Sequence, residues 1–189
     1  QYTRTSAPPL ANKILYSLLF MKNLSLVFLL LLCPCLIIRA QFTFNETFGG
    51  ESDERAMAVA ECKFGGYAVV GLTYSFGAGK SDIWAMRLDK EGKEVWRKYL
   101  GDTDFDWANS VVETEAGNLV IAGFTRNRTN RTHNAWVIQL DGDGNTLWSH
   151  TYGGEKADEA KSIVQTADGG FAIAGETHTY GKEKKDIWL

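Results

Sequence analysis

Residues 153–177 read GGEKADEAKSIVQTADGGFAIAGET, and the same pattern stands at 101–125 (GDTDFDWANSVVETEAGNLVIAGFT) and at 49–73 (GGESDERAMAVAECKFGGYAVVGLT). Gly49, Gly101 and Gly153 open the three copies, which sets a period of 52 residues with no gap. Matched positions include Ala56/Ala108/Ala160, Gly71/Gly123/Gly175, Thr73/Thr125/Thr177 and Trp84/Trp136/Trp188. Leu88/Leu140, Asp89/Asp141, Gly92/Gly144 and Trp96/Trp148 extend the match through two copies. A fixed period of this length marks one supersecondary unit used repeatedly, so the architecture is read from the repeat before anything else.

Each copy contains short segments that alternate apolar and polar residues, separated by glycine-bearing turns. The first runs Ala56 to Glu61, with counterparts at Ala108 to Glu113 and Ala160 to Gln165; the second runs Tyr67 to Thr73. The third, Ile83 to Leu88, carries Trp84, and the fourth, Glu94 to Leu100, carries Trp96. The second segment is apolar on both faces, as expected of a strand buried between two neighbouring sheets. Gly71, Gly123 and Gly175 fall inside it, where glycine weakens pairing unless a bulge or a close backbone approach demands it. Four antiparallel strands per repeat predict an all-β chain forming part of a β-propeller, with blades at 49–100, 101–152 and an incomplete 153–189. Twelve short strands in three copies also fit a β-trefoil, which stands as the alternative fold.

The ends set the limits of this unit. Residues 1–20 read as extraneous upstream sequence, and 21–40 as a signal peptide: Met21-Lys22, an apolar run from Leu24 to Ile38, and a small residue at Ala40 before Gln41. The apolar run is too short for a stable membrane span. Residues 41–189 are then the repeat fragment, secreted or on the cell surface. Residues 1–40 hold Arg4, Lys13, Lys22 and Arg39 and no acid, so the formal charge of -3 for the whole chain becomes -7 for the remainder. An acidic unit without a basic stripe is a poor nucleic-acid binder. Cys62 is the one cysteine after residue 40, so no disulfide forms within the repeat unit and its stability rests on the core.

Periodic residues are explained by packing first. Trp84, Trp136, Trp188, Trp96 and Trp148 read as wedges between sheets, each burying roughly 150–250 Å² and contributing several kcal/mol. Trp107, matched by Arg55 and Glu159, breaks the period and is placed in a loop as the one candidate binding aromatic. Asp141, Asp143 and Asn145 have the alternating oxygens of a weak calcium loop, but Lys93 stands at the Asn145 position in the first copy, which favours a hairpin turn. Glu54, Asp106 and Asp158, and the series Asp82, Asn134 and Asp186, read as caps of free backbone amides at strand entrances. His133, His150 and His178 occupy different repeat positions and are expected to face solvent. Asn45, Asn127 and Asn130 begin glycosylation sequons.

The third copy, with Gly153-Gly154, Asp158, Ala160, Ser162, Ile163, Thr166, Asp168 to Phe171, Ile173 to Gly175 and Thr177, resembles the tandem repeats of secreted bacterial β-propeller proteins, including lipoprotein-like cell-surface propellers. Ile83 to Leu100 is also similar to a segment of quinoprotein-type propellers, without their cofactor constellation. The resemblance is specific for the repeat type and nearly silent on activity. Because repetition explains nearly every distinctive residue as packing or turn chemistry, the expected function is a non-catalytic scaffold or binding module for an unspecified protein or glycan ligand, completed by further blades of a longer parent chain. Phe42 to Phe48 aligns with Glu94 to Leu100, so it is expected to be a lone fourth strand. No cofactor and no catalytic residue is read from the sequence. The alternative is a carbohydrate-active or quinoprotein-like enzyme whose active groups lie in loops or in other blades.

Overall fold

The computed structural model describes residues 43–126, 131–182 and 184–189. The chain divides at Gln41/Phe42 into two units, of which the first lies wholly outside the described residues, as do the signal segment, Asn127 and Asn130. All regular structure in the described residues is β: β1 (Glu54–Glu61), β2 (Tyr67–Thr73), β3 (Asp82–Leu88), β4 (Glu94–Leu100), β5 (Asp106–Glu113), β6 (Leu119–Arg126), β7 (His133–Leu140), β8 (Thr146–Tyr152), β9 (Asp158–Gln165), β10 (Phe171–Thr177) and β11 (Asp186–Trp188). They form three antiparallel sheets in simple up-and-down order, β1-β2-β3-β4, β5-β6-β7-β8 and β9-β10-β11. The lone strand expected at Phe42 to Phe48 is not formed: residues 43–48 are not in a strand, and Phe42 lies outside the described residues. A strand is defined by its ladder, and this segment has no ladder partner among the described residues.

The turns follow from their glycines. Cys62 to Gly66 closes with Gly65 N–H donating to Cys62 O (2.8 Å), and Gly65 and Gly66 sit at φ 89° and 80°. The same closure recurs at Thr114 to Asn118 and Thr166 to Gly170, with Gly117 and Gly169 left-handed. Glycine takes that conformation at little cost.

Inside each sheet, one residue of the first strand is unpaired: the register shifts between Ala56 and Ala58, between Ala108 and Ser110, and across Lys161. These are β-bulges, and they face the strand glycines. A Cβ on Gly71 would lie 1.8 Å from Arg55 O, one on Gly123 1.9 Å from Trp107 O, and one on Gly175 2.1 Å from Glu159 O. Bulge and close approach are therefore one feature. The bulged strand bends its carbonyl onto the Cα of its neighbour, and only glycine leaves room.

The sheets stack in chain order. Ala68, Val70, Ile83 and Ala85 of the first meet Ala108, Val111, Leu119, Ile121, Ile138 and Leu140 of the second, with Trp96, Leu100 and Trp136 at the margin. The opposite face of the second sheet, Val120, Ala122, Ala135 and Val137, meets Ala160 and Ile163, flanked by Trp148, Phe171, Ile173 and Trp188. Six of the eight residues of β6 are buried for this reason, since both faces of this strand are covered by a neighbouring sheet. Trp84, Met86 and Leu88 gather on the far face of the first sheet with Phe48, Tyr67, Phe76 and Tyr99.

Candidate functional site

The register Glu54↔Thr73, Thr73↔Asp82 and Ile83↔Leu100 places the start of β1, the end of β2, the start of β3 and the end of β4 at one end of the first sheet. The second sheet repeats this through Asp106↔Thr125, Thr125↔Asn134 and Ala135↔Tyr152. One end of the stack therefore carries the tight turns, and the other carries the irregular segments 74–81, 101–105 and 153–157. The candidate site is this second rim.

Its foundation is a repeated pair of an acid and a threonine. Thr177 Oγ1 donates to Asp158 Oδ1 and accepts the N–H groups of Thr179 (3.1 Å) and Tyr180 (3.0 Å), while Asp158 Oδ2 accepts Gly154 N–H (2.9 Å). Thr73 and Glu54 do the same: the hydroxyl donates to Glu54 (3.0 Å) and accepts Ser75 and Phe76, and Glu54 accepts Gly50 N–H (3.2 Å). Asp106 accepts Asp102 N–H at 2.9 Å. Burial alone raises the Asp158 carboxyl, but the hydrogen bonds from Thr177, Thr179 and Gly154 outweigh it and hold the group below the usual carboxylate range. At Asp106 burial wins, against hydrogen bonds from Thr125 and Asp102, and the charges of Asp102 and Asp82 push the same way.

Asp82 and Asp106 meet at the seam between the first two sheets. A Cβ on Gly101 would touch Asp82 Oδ1 at 2.4 Å and Asp106 Oδ2 at 2.6 Å, so the two oxygens lie within about 5 Å of each other. The two carboxyl groups of a retaining glycosidase stand about 5–5.5 Å apart, so this pair is at least as close. Both residues, however, are only 1 % exposed, and each carboxylate is engaged by a backbone amide, Gly79 N–H at 2.8 Å for Asp82. They bind their own loops and present nothing to a substrate.

The rim also carries a line of rings and charges, of which Phe124 is buried and Phe105, Trp107 and His133 are half-buried. Ser81 and Phe105 form a parallel bridge, and Lys80 Nζ and the Arg126 guanidinium flank the Phe105 ring at 5.0 and 5.5 Å. Both cations also reach Asp104 Oδ1, at 3.2 and 3.5 Å. Next come Trp107 and Phe124, with ring centroids 5.2 Å apart, and His133 stacked on Phe124 at 4.4 Å. His133 Nδ1 meets Glu159 of the third sheet at 3.1 Å, and Lys161 closes the line on the same carboxylate. The hydrogen bond with His133 is the largest influence on Glu159, whose carboxyl falls to about 2.

Several sequence expectations change here. Trp107 is in strand β5, not in a loop: β1, β5 and β9 begin two residues before the apolar alternation, and the indole Nε1–H reaches across to Ser81 Oγ (2.8 Å). Trp107 is half-buried and holds two sheets together. His133 is also half-buried, between β6 and β9, whereas His150 and His178 are exposed. Trp136 and Trp96 line the first seam, Trp148 and Trp188 the second, and Trp84 the far face. Trp96 further donates Nε1–H to Gly142 O at 2.8 Å.

Asp141, Asp143 and Asn145 form a hairpin turn with Asp141 at its hub. Asp141 Oδ1 accepts the N–H groups of Asp143 (3.0 Å) and Asn145 (2.8 Å), and Oδ2 accepts the Asn145 amide (3.1 Å). Asp89 accepts the same backbone bonds from Glu91 and Lys93 although Lys93 replaces Asn145, so backbone amide donors account for the shape of both turns. Among the described residues no group of three or more His, Cys, Asp or Glu is placed to hold a metal. Cys62 is buried, and burial pushes its thiol up to about 11, which leaves it unreactive at neutral pH.

Lys80, Arg126 and His133 fall within the variable stretches 74–82 and 126–134 that the sequence, together with Trp107 and 178–186, leaves for recognition, whereas Phe105 and the pairing of His133 with Glu159 were not singled out. The available signal was departure from the period: Asp53 and Ala157 stand where Phe105 does, and Tyr74 and His178 where Arg126 does. Neither a protein-family model nor a curated protein matches this chain.

Proposed function

We propose that this chain is a β-propeller repeat module of a secreted or cell-surface protein that binds a protein or glycan through its irregular rim and catalyses no reaction. The stacking of separate up-and-down sheets supports the propeller reading over the trefoil, because each repeat forms its own sheet and contributes nothing to a common barrel. The observation that carries the binding reading is the division of labour between the two ends. Turns repeat at one end, while Phe105, Trp107 and Arg126, which break the period, collect with Lys80 at the other. An aromatic ring between two cations suits the sugar faces and acidic groups of a glycan, or an acidic peptide. The rim's charges are partly neutralised by Asp104, which favours selective over purely electrostatic attachment.

The test is binding of the purified chain to glycan and protein arrays, followed by Phe105→Ala and Lys80→Ala. Both variants are expected to lose at least tenfold in affinity for a captured ligand with the circular dichroism spectrum unchanged. Undiminished binding by both variants, or turnover of the ligand, counts against the reading.

A further inference from the structure

One group of side chains that breaks the period lies away from the rim, at the turn end of the first seam. Phe64 stands where the next copy has Ala116, Arg87 where it has Gln139, and Lys90 where it has Gly142. All three line a cleft of about 450 Å³ between the turns of the first and second sheets, within the roughly 300–1,000 Å³ of small-ligand sites. Phe64 is 83 % exposed, and its ring reaches the turn of the second sheet, where a Cβ on Gly117 would meet it at 3.4 Å. A Cβ on Gly65 or Gly142 would meet nothing within 4 Å, so the cleft is open at both. The second seam has neither the ring nor the two cations at the matching positions.

The acids at this end are committed to donors of the protein itself, and the cations are less so. Glu113, whose side chain is 3 % exposed, spends Oε1 on Arg87 Nη1 (2.8 Å) and Oε2 on the Lys63 N–H (2.5 Å). Burial raises its carboxyl, but the bonds from Lys63 and Arg87 outweigh it and hold the group below the usual carboxylate range, so Glu113 is the anion that anchors Arg87. Asp89 Oδ1 accepts the N–H groups of Glu91 (3.0 Å) and Lys93 (2.8 Å). Lys90, by contrast, is 71 % exposed and meets Glu91 at 3.7 Å, an exposed contact worth little in water. Arg87 has donors beyond the one that Glu113 takes. The cleft therefore joins an open aromatic ring to cationic donors, which complements a ligand with an apolar face and a negative charge.

The turns around the cleft narrow the class further. Gly65 N–H donates to Cys62 O, Gly92 to Asp89 O, Gly117 to Thr114 O and Gly144 to Asp141 O, so these glycine amides are spent inside their own turns and an extended peptide finds no ladder among them. Recognition there falls to side chains, and a compact ring suits it better than a strand. We propose that this cleft is a second ligand site, separate from the rim, for a sugar ring bearing a carboxylate, with the ring on Phe64 and the carboxylate at Lys90 and Arg87. The next copy of the repeat supplies the comparison within one molecule, since Ala116, Gln139 and Gly142 remove the ring and both cations while the turns keep their form.

Titration of the 189-residue chain with tetragalacturonate, followed by amide NMR, is expected to shift the Gly65, Lys90 and Gly117 signals, whereas maltotetraose and a tetraglutamate peptide leave them in place. Phe64→Ala and Lys90→Gly install the residues of the second copy at exposed positions. Each is expected to weaken the Kd for tetragalacturonate by at least about tenfold, with the rest of the amide spectrum unchanged. No shift at these amides, shifts confined to Lys80 and Phe105 of the rim, an equal response to maltotetraose or tetraglutamate, or undiminished affinity in both variants each overturns the site. The array result with Phe105→Ala and Lys80→Ala bears on the rim alone, so the two readings fail separately.

Discussion

Gly123 has β-sheet neighbours on both sides, and a methyl group there would stand 1.9 Å from Trp107 O. Neither backbone can retreat without breaking a ladder, so Gly123→Ala is expected to destabilise the fold by at least about 3 kcal/mol in urea unfolding. A loss below about 1 kcal/mol would show that the bulge relaxes freely. A second residue-scale expectation concerns the Asp82–Asp106 seam. The next seam has Asn134 where this one has Asp82, and Asp82→Asn copies it. Asparagine still offers an oxygen to Gly79 N–H, and the substitution removes one of the charges that raise the Asp106 carboxyl. A folded pKa above the unfolded one makes ionised Asp106 a destabilising group at neutral pH, and the penalty disappears as pH falls and it protonates. Asp82→Asn should therefore gain up to about 1 kcal/mol at pH 7 and less at pH 4. A net loss at pH 7 would contradict this account.

Between elements, the third sheet is joined to the second by apolar packing and by the His133–Glu159 contact. Glu159 titrates in the opposite sense to Asp106. Its carboxyl is depressed to about 2 from an ordinary 4.5, so its contribution is complete above about pH 4.5 and is lost as pH falls towards 2. Wild type should exceed Glu159→Gln by about 1–2 kcal/mol at pH 6, with the gap closing near pH 2; an equal gap at both pH values would exclude the pair as its source. Strands rich in apolar residues between glycine turns, such as Tyr67 to Thr73 and Glu94 to Leu100, were legible residue for residue. The entrances of β1, β5 and β9 were not, because Glu54, Asp106 and Asp158 are polar and look like loop until their threonine partners are known. Trp107 was misplaced for the same reason, since Ser81, the partner that holds its indole, belongs to the preceding repeat. The rim was legible only as variable stretches and positions that break the period; which of their residues converge depends on stacking that local pattern does not encode.

For the molecule as a whole, burial is graded along the stack. β6 is enclosed on both faces, whereas β4 and β8 lie at sheet edges and β11 is mostly exposed. Amide hydrogen exchange should accordingly be slowest in β6, intermediate in β2 and β3, and fastest in β8 and β11, by at least about a hundredfold between the extremes. Uniform protection across the three sheets would mean that they unfold only as one unit. The glycine-and-bulge contact described within each sheet has a different consequence during synthesis. It rejects a slipped register, because a one-residue shift would place a side chain against the bulged carbonyl. It does not tell one copy from another, since Gly71, Gly123 and Gly175 present the same notch to Arg55, Trp107 and Glu159 alike. A first strand can therefore seat correctly in the wrong repeat, and the order in which the copies leave the ribosome is what sorts them.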